Sequence, residues 1–404
     1  MKIIVQKFGG TSVADIEKIK NVANIVQSEI NAGSHVIVVV SAMAGITNSL
    51  IAQCNDLSKL DDASSLKEYD ATIASGEIVT AALLSLHLQS IGIKACSLQG
   101  WQVPIKTDNN HRNSQIIEIN TDKLLQYLND GITPVITGFQ GISDYGNITT
   151  LGKGGSDTSA AIIAAAIKAK RCDIYTDVNG IYTADPRVVH DAKKINEIDI
   201  DQLCALCSSG AKVLHPRAAL AAKRYGFQLR ILSSFNPCIG TITTNIQTNE
   251  KKMESRKITA ITSNKNLLRI NISYDSVNIG HIISQFAAEN IVIEQINNFN
   301  NGCLILIVNL IDKNKCEKIL DKLNQLKFID SYLIAANIST ITIVGFGIKN
   351  DLNFINNIIR ILTKSKIEIN FSDISDLKIT LLIDDDNTET AIKLLHQYCF
   401  AEET

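Results

Sequence analysis

A chain of 404 residues is longer than one ordinary core organises, so two or three domains are expected. Apolar residues at 45% and charged residues at 20% describe a soluble globular protein, and a net charge of −2 gives no basis for binding nucleic acid or an anionic membrane. No apolar run approaches the length of a spanning helix, and the apolar part of "MKIIVQKFGG" is too short for a signal peptide, so a cytoplasmic protein is expected.

The first strand is read at "KIIVQKF", followed by a glycine turn and a helix with Ile16, Ile19, Val22, Ala23 and Val26 at helical spacing. "HVIVVV" is a continuous β-branched run, as expected of a strand covered on both faces. "ATIASGEIVTAALL" opens a strongly apolar helix with Glu77 at its start. "TPVITGF" and "RCDIYT" read as further strands around the alanine-rich helix "DTSAAIIAAAIKAK". Strand and helix alternating over residues 1–245 predict an α/β domain, a three-layer α/β/α sandwich with a mostly parallel sheet. Ligands of such sheets gather at the carboxyl ends of the strands, where the glycine and polar clusters fall.

Within "IDIDQLCALCSSGAKVLHP", Cys204 and Cys207 have the spacing of a metal pair, but only His215 lies nearby and two further ligands are lacking. They read as packing residues of an amphipathic helix, and no protein-held metal is expected. The nine cysteines, odd and scattered, suit reduced thiols. Residues 246–262 are polar and read as a linker. Beyond them, residues 263–335 and 336–404 each carry strand, helix, two strands and helix, predicting two ferredoxin-like βαββαβ units.

The chemistry concentrates in a few loops. "TTLGKGGSDTSAA" is not a P-loop: Gly154 follows Lys153 where a hydroxyl is needed, and Gly146 is one position too far. What remains is a run of amides, Gly154, Gly155 and Ser156, at a helix mouth that favours an anion. Lys153 beside Asp157 suits a zwitterion, the lysine for a carboxylate and the aspartate for an amine. An aspartate capping its own helix beside a solvated lysine explains the residues equally well. In "QKFGGTS", Lys7 ends a strand, Gly9 and Gly10 allow close approach of a ligand, and Thr11 or Ser12 can cap the next helix. Ser41 and Thr47 offer hydroxyls after the second strand. Glu77 suits either a site or its helix dipole. "IYTDVNGIYTADPR" clusters Asp177, Tyr182, Asp185 and Arg187 after a strand.

Together "KFGGTSV", "SAMAGITN", "ASGE", "TTLGKGGSDTSAA", "YTDVNGIYTADPR" and "GAKVLHPRA" resemble, in order and spacing, the aspartate kinases of the amino-acid kinase superfamily. The C-terminal units look like that family's paired ACT domains. The resemblance implies ATP-dependent phosphorylation of the side-chain carboxylate of L-aspartate, the first step toward lysine, threonine and methionine, with magnesium bridging the phosphates. Carried over by position, Lys7 would stabilise the transferring phosphoryl group, with Phe8, Gly9 and Gly10 beside it. Ser41 and Thr47 would lie near the reacting carboxylate, Lys153 with Gly154, Gly155 and Ser156 would hold the α-carboxylate, and Glu77 and Asp157 the amine. Thr176, Asp177, Tyr182, Arg187 and Lys212 match nucleotide-binding positions. Such chemistry asks mainly for positioning and cations.

Two departures stand out. Lys153 replaces the family's usual arginine, trading a fork for a point charge. The Pro-Gly pair that precedes the first ACT helix is missing: "YDSVNIGHI" keeps Asp275 and Gly280, and "GIKNDLNFI" lacks the pair as well. A lysine or threonine effector at Asp275 and Gly280, and homodimerisation through the ACT units, are what the resemblance implies. The competing readings are a related kinase with another acidic acceptor, and an amino-acid-sensing ACT protein with an inert first domain.

Overall fold

The computed structural model describes residues 1–60, 62–244, 257–274, 279–299 and 302–401, which separate into two units. The first comprises Met1–Tyr182, Lys193–Ser208 and the described residues from Lys212 to Thr244. It opens with β1 (Ile3–Phe8), α1 (Ile16–Asn31), β2 (His35–Val40), α2 (Ile46–Leu57), α3 (Ala63–Ile73) and α4 (Ser75–Ser90). β3 (Ala95–Leu98), β4 (Ile105–Thr107), β5 (Ile116–Ile119), α5 (Asp122–Asn129), β6 (Thr133–Thr137), β7 (Gln140–Ser143) and β8 (Ile148–Thr150) follow. Then come α6 (Gly155–Ala166), β9 (Arg171–Thr176), β10 (Ile181–Tyr182), β11 (Lys194–Ile195) and β12 (Glu197–Asp199). The unit finishes with α7 (Ile200–Ser208), α8 (Pro216–Tyr225), β13 (Gln228–Ser233) and β14 (Thr241–Thr244).

The main sheet is eight-stranded, ordered β12-β14-β13-β9-β1-β2-β6-β3. All pairs from β13 to β3 are parallel, and only β14 runs antiparallel to its neighbour β13. Side chains alternate between faces. Ile4 and Phe8 of β1 and Val36, Val38 and Val40 of β2 pack with Val22 and Val26 of α1 and Leu84 and Leu88 of α4. Lys7 has the opposite register and faces α6, which packs on β1, β2 and β9. The α/β/α expectation therefore holds. A smaller sheet, β5-β4-β7-β8, leads into α6.

Two local expectations are corrected. Neither Thr11 nor Ser12 caps α1. Gly10–Val13 form a 3-10 turn first, and Asp15 caps the helix by accepting from the Lys18 amide at 2.9 Å. Ala63–Ser90 is also long and apolar enough for a membrane span by composition, contrary to the absence of such a run. Its apolar content serves the core through Ala81, Leu84 and Leu88.

The second unit comprises Thr183–Ala192, Ser209–Ala211 and the described residues from Lys257 onward. Its elements are β15 (Lys257–Ser273), α9 (Ile279–Ala288), β16 (Ile293–Phe299), β17 (Cys303–Asn309), α10 (Lys313–Gln325) and β18 (Ser331–Phe346), then α11 (Leu352–Lys364), β19 (Phe371–Ile374), β20 (Lys378–Asp384) and α12 (Thr388–Phe400). The sheet order is β16-β17-β15-β18-β20-β19, antiparallel throughout. Two large apolar cores and a smaller one around Leu267 and Ile338 lie along it. Of the large ones, one is built around Ile270, Phe286 and Leu320, the other around Ile343, Phe354 and Leu395.

The two βαββαβ repeats are thus present but not consecutive. β15 and β18 run through both, and the second repeat takes its fourth strand from the start of β15, where Lys257–Asn264 pair with Thr340–Phe346. The expected linker 246–262 ends earlier for that reason: Lys257–Thr262 are strand, with Ala260 and Ile261 buried, while residues 245–256 lie outside the described residues. The expected boundary at 335/336 falls inside β18. Thr183–Ala192, expected in the first domain, belong to the second unit. Ala184 and Val189 enter its core, and the Thr183 carbonyl accepts from the Ile261 amide at 2.8 Å.

On the α1 face of the main sheet, Asp173 is fully buried and accepts from Arg171 Nε at 3.0 Å and from Arg230 Nε and a terminal nitrogen at 2.7 and 2.6 Å. Glu29 of α1 pairs with both arginines. Removing one partner from such a group strands the rest without compensation. Asp173→Ala should therefore cost about 3–5 kcal/mol, read as a lower urea midpoint with an unchanged denaturant slope.

Candidate active site

The functional loops of the first unit leave the carboxyl ends of β1, β2 and β9. Lys7, the seventh residue, turns toward α6 and places its ammonium 2.6 Å from Asp157 Oδ1, both side chains 12% exposed. Asp157 is the third residue of α6 and does not cap it. Its second oxygen accepts from the His215 amide at 3.3 Å. The self-capping reading of Asp157 is set aside by this pair.

Gly154 enters α6 in the left-handed region, φ +69°, and a Cβ there would sit 2.4 Å from His215 Cδ2. Only glycine fits both constraints. His215, at the start of α8 and within "GAKVLHPRA", is thus a neighbour of this loop, a contact the sequence does not reveal. Burial, aided by Arg217 and Lys153, holds its imidazole below the usual histidine range, with Asp157 opposing. Of the three expected amides, that of Gly155 donates to the Gly152 carbonyl at 3.0 Å and is spent on the turn. Ser156 is buried, and Lys153 is exposed at the loop tip.

Gly10 meets the second-strand loop closely: a Cβ on it would lie 2.8 Å from the Ala42 carbonyl oxygen. Glu77, in the first turn of α4, reaches that loop from the other side. Its Oε1 accepts from the Ala42 amide at 3.0 Å, while the buried Oε2 has no donor among the described residues. Burial pushes its carboxyl up to about 7, against the lowering effect of the Ala42 amide. Ser41 and Thr47 are half-buried on the same loop and the first turn of α2. β1, β2 and α4 thereby bring Lys7, Ser41 and Glu77 to adjoining loops.

The expected nucleotide positions are less concentrated. The Phe8 side chain is fully buried and stacks on Tyr175 with centroids 4.6 Å apart, so it belongs to the core, and only its backbone faces the loops. Thr176 ends β9 and donates to Asp177 at 3.0 Å. Tyr182 is half-exposed in β10, and Lys212 is exposed between α7 and α8. Arg187 belongs to the second unit, where it pairs with Asp185 at 2.7 Å. Gly280 lies in the first turn of α9, and Asp275 falls outside the described residues. Cys207 is buried on α7, all nine cysteines are free thiols, and among the described residues no cluster of three or more His, Cys, Asp or Glu is placed to hold a metal.

Comparison with known proteins assigns the family. The amino acid kinase family profile matches residues 2–233. The aspartokinase of Rickettsia felis is 49% identical over 393 residues, covering 97% of this chain and 98% of that one. The aspartokinase of Geobacillus stearothermophilus is 37% identical over 405 residues, covering 100% of this chain and 98% of its own. The crystal structure of E. coli aspartokinase III in complex with aspartate and ADP superposes with a TM-score of 0.85 at 25% identity, covering 98% of this chain and 100% of that one. A matching profile over more than half the sequence and near-half identity along its length place this chain in the amino acid kinase family, among the aspartokinases.

Proposed function

We infer that this chain transfers the γ-phosphoryl group of ATP to the side-chain carboxylate of L-aspartate. The observation that carries the reading is the Lys7–Asp157 pair at the mouth of α6, together with the Ala42 loop that Glu77 of α4 reaches. An acceptor carboxylate is already ionised near neutral pH, so the reaction needs no general base. It needs positioning and a cation where charge spreads over the phosphoryl oxygens.

Lys7 has three donors, one of them engaged by Asp157, which leaves two for phosphoryl oxygens. Asp157 thus serves first as the group that fixes Lys7. The substrate ammonium then goes to Glu77, whose second oxygen lacks a donor, and the α-carboxylate goes to Lys153 at the exposed loop tip. ATP is bound as its magnesium complex. Magnesium takes oxygen ligands and keeps phosphates and water around it, so it needs no prebuilt cage of protein ligands. Thr176, Asp177, Tyr182, Arg187 and Lys212 are assigned to the nucleotide on their matching positions. The second unit is read as the regulatory and dimerising part, with an amino-acid effector at the turn before α9.

Three outcomes follow for steady-state assays of ADP release. Lys7→Ala lowers kcat by about 10²–10³-fold with little change in the KM for ATP, and an unchanged kcat would remove Lys7 from its role. Lys153→Ala raises the KM for aspartate far more than that for ATP, and the reverse order would count against the carboxylate assignment. Because the Glu77 carboxyl sits near 7, it gains a proton as pH falls and loses its attraction for an ammonium. The KM for aspartate therefore rises about tenfold per unit below that pH. Glu77→Gln removes this dependence at the cost of a uniformly high KM.

A further inference from the structure

Asp70 lies on α3, outside the residues assigned to the site above, and is fully buried. Its carboxylate collects four donors from two distant segments. From the β4–β5 loop come the His111 Nδ1–H at 2.7 Å and the Arg112 amide at 3.1 Å. From the end of β8 come the Thr150 amide at 3.1 Å and its hydroxyl at 2.6 Å. Because a carboxylate only accepts, the His111 proton must sit on Nδ1. Such a concentration of donors on one buried group is more than folding a surface loop requires.

Its partners explain it. Thr150 stands three residues before Lys153, and the chain there has further anchors: Arg217 donates to the Leu151 carbonyl at 3.0 Å, and the Ser114 amide to the Thr150 carbonyl at 2.9 Å. Asp70 and Glu77 lie seven residues apart on the almost continuous helix formed by α3 and α4. Two helical turns put them on one face, about 10 Å apart along the axis. One helix therefore carries both Glu77 and the anchor of the Lys153 loop.

We propose that Asp70 is a positioning residue that fixes the distance between the Glu77 and Lys153 ends of the acceptor site, and so sets the length of amino acid accepted. The proposal rests on the acceptor reading given above. Asp70 touches neither substrate. It acts through Thr150, and the β4–β5 loop braces the arrangement through His111 and Arg112.

The test measures KM and kcat for aspartate, glutamate and ATP in the full chain. Asp70→Asn and Thr150→Val should raise the KM for aspartate about tenfold or more, leave the KM for ATP and the saturated kcat within a few-fold, and narrow the preference for aspartate over glutamate. His111→Ala should behave likewise, and His111→Asn, which returns a donor near the Nδ1 position, should recover most of the loss. Asp70→Asn combined with Lys153→Ala should cost no more than Lys153→Ala alone. If Asp70→Asn does not fold, the Thr150 and His111 variants carry the test. A raised KM in Lys153→Ala alongside unchanged values in Thr150→Val and His111→Ala would overturn the positioning role while leaving the acceptor reading intact. Additive losses in the double variant would also overturn it. An unchanged KM for aspartate in Lys153→Ala would overturn both.

Discussion

The pairing of Lys7 with Asp157 is the constraint on which the site depends. A lysine at the end of a central parallel strand is largely removed from water, and an uncompensated cation there is costly. The sheet supplies the answer through register. Lys7 alternates with Gln6 and Phe8, so it points to the face covered by α6, whose third residue is Asp157. The pair fixes the position of the cation at the strand end.

The two carboxylates of the site then divide their work by environment. Asp157 has a cation at contact distance and a backbone amide on its other oxygen. Glu77 has one amide and no cation, and burial without a counter-charge favours its neutral form. One carboxylate is thus paired and the other is held without a counter-charge. That difference comes from what the fold puts next to each carboxylate.

Much of the first unit was legible because its signals are local. "HVIVVV" can only be a strand covered on both faces, and "DTSAAIIAAAIKAK" packs as the buried helix its alanines predict. The loops after β1 and β2 and the one before α6 were legible as well, since glycine and hydroxyl clusters mark strand ends. What composition did not reveal were contacts between segments far apart in sequence. His215 against Gly154 and Asp70 against Thr150 leave no periodic trace. Phe8 illustrates the opposite error. It stands inside a functional motif, yet its ring fills the core and stacks on Tyr175.

In the second unit the repeat was visible, but the way its halves are joined was not, because the pattern of apolar residues is the same whether repeats stand side by side or share strands. Sharing has a mechanical consequence. β15 and β18 pass through both cores, so neither half can tilt without loading the same two strands. The register slips between Asn264 and Arg269, and Asn266 and Asn337 both take left-handed backbone, φ +59°, each one residue before a member of the Leu267–Ile338 pair. Asparagine tolerates that conformation where β-branched residues do not. The irregularity is thus built twice, once in each shared strand. It lies where the apolar contacts change from Ile270 and Ile272 on one side to Ile341 and Ile343 on the other. Any strain passed between the halves of this sheet has to cross that bend.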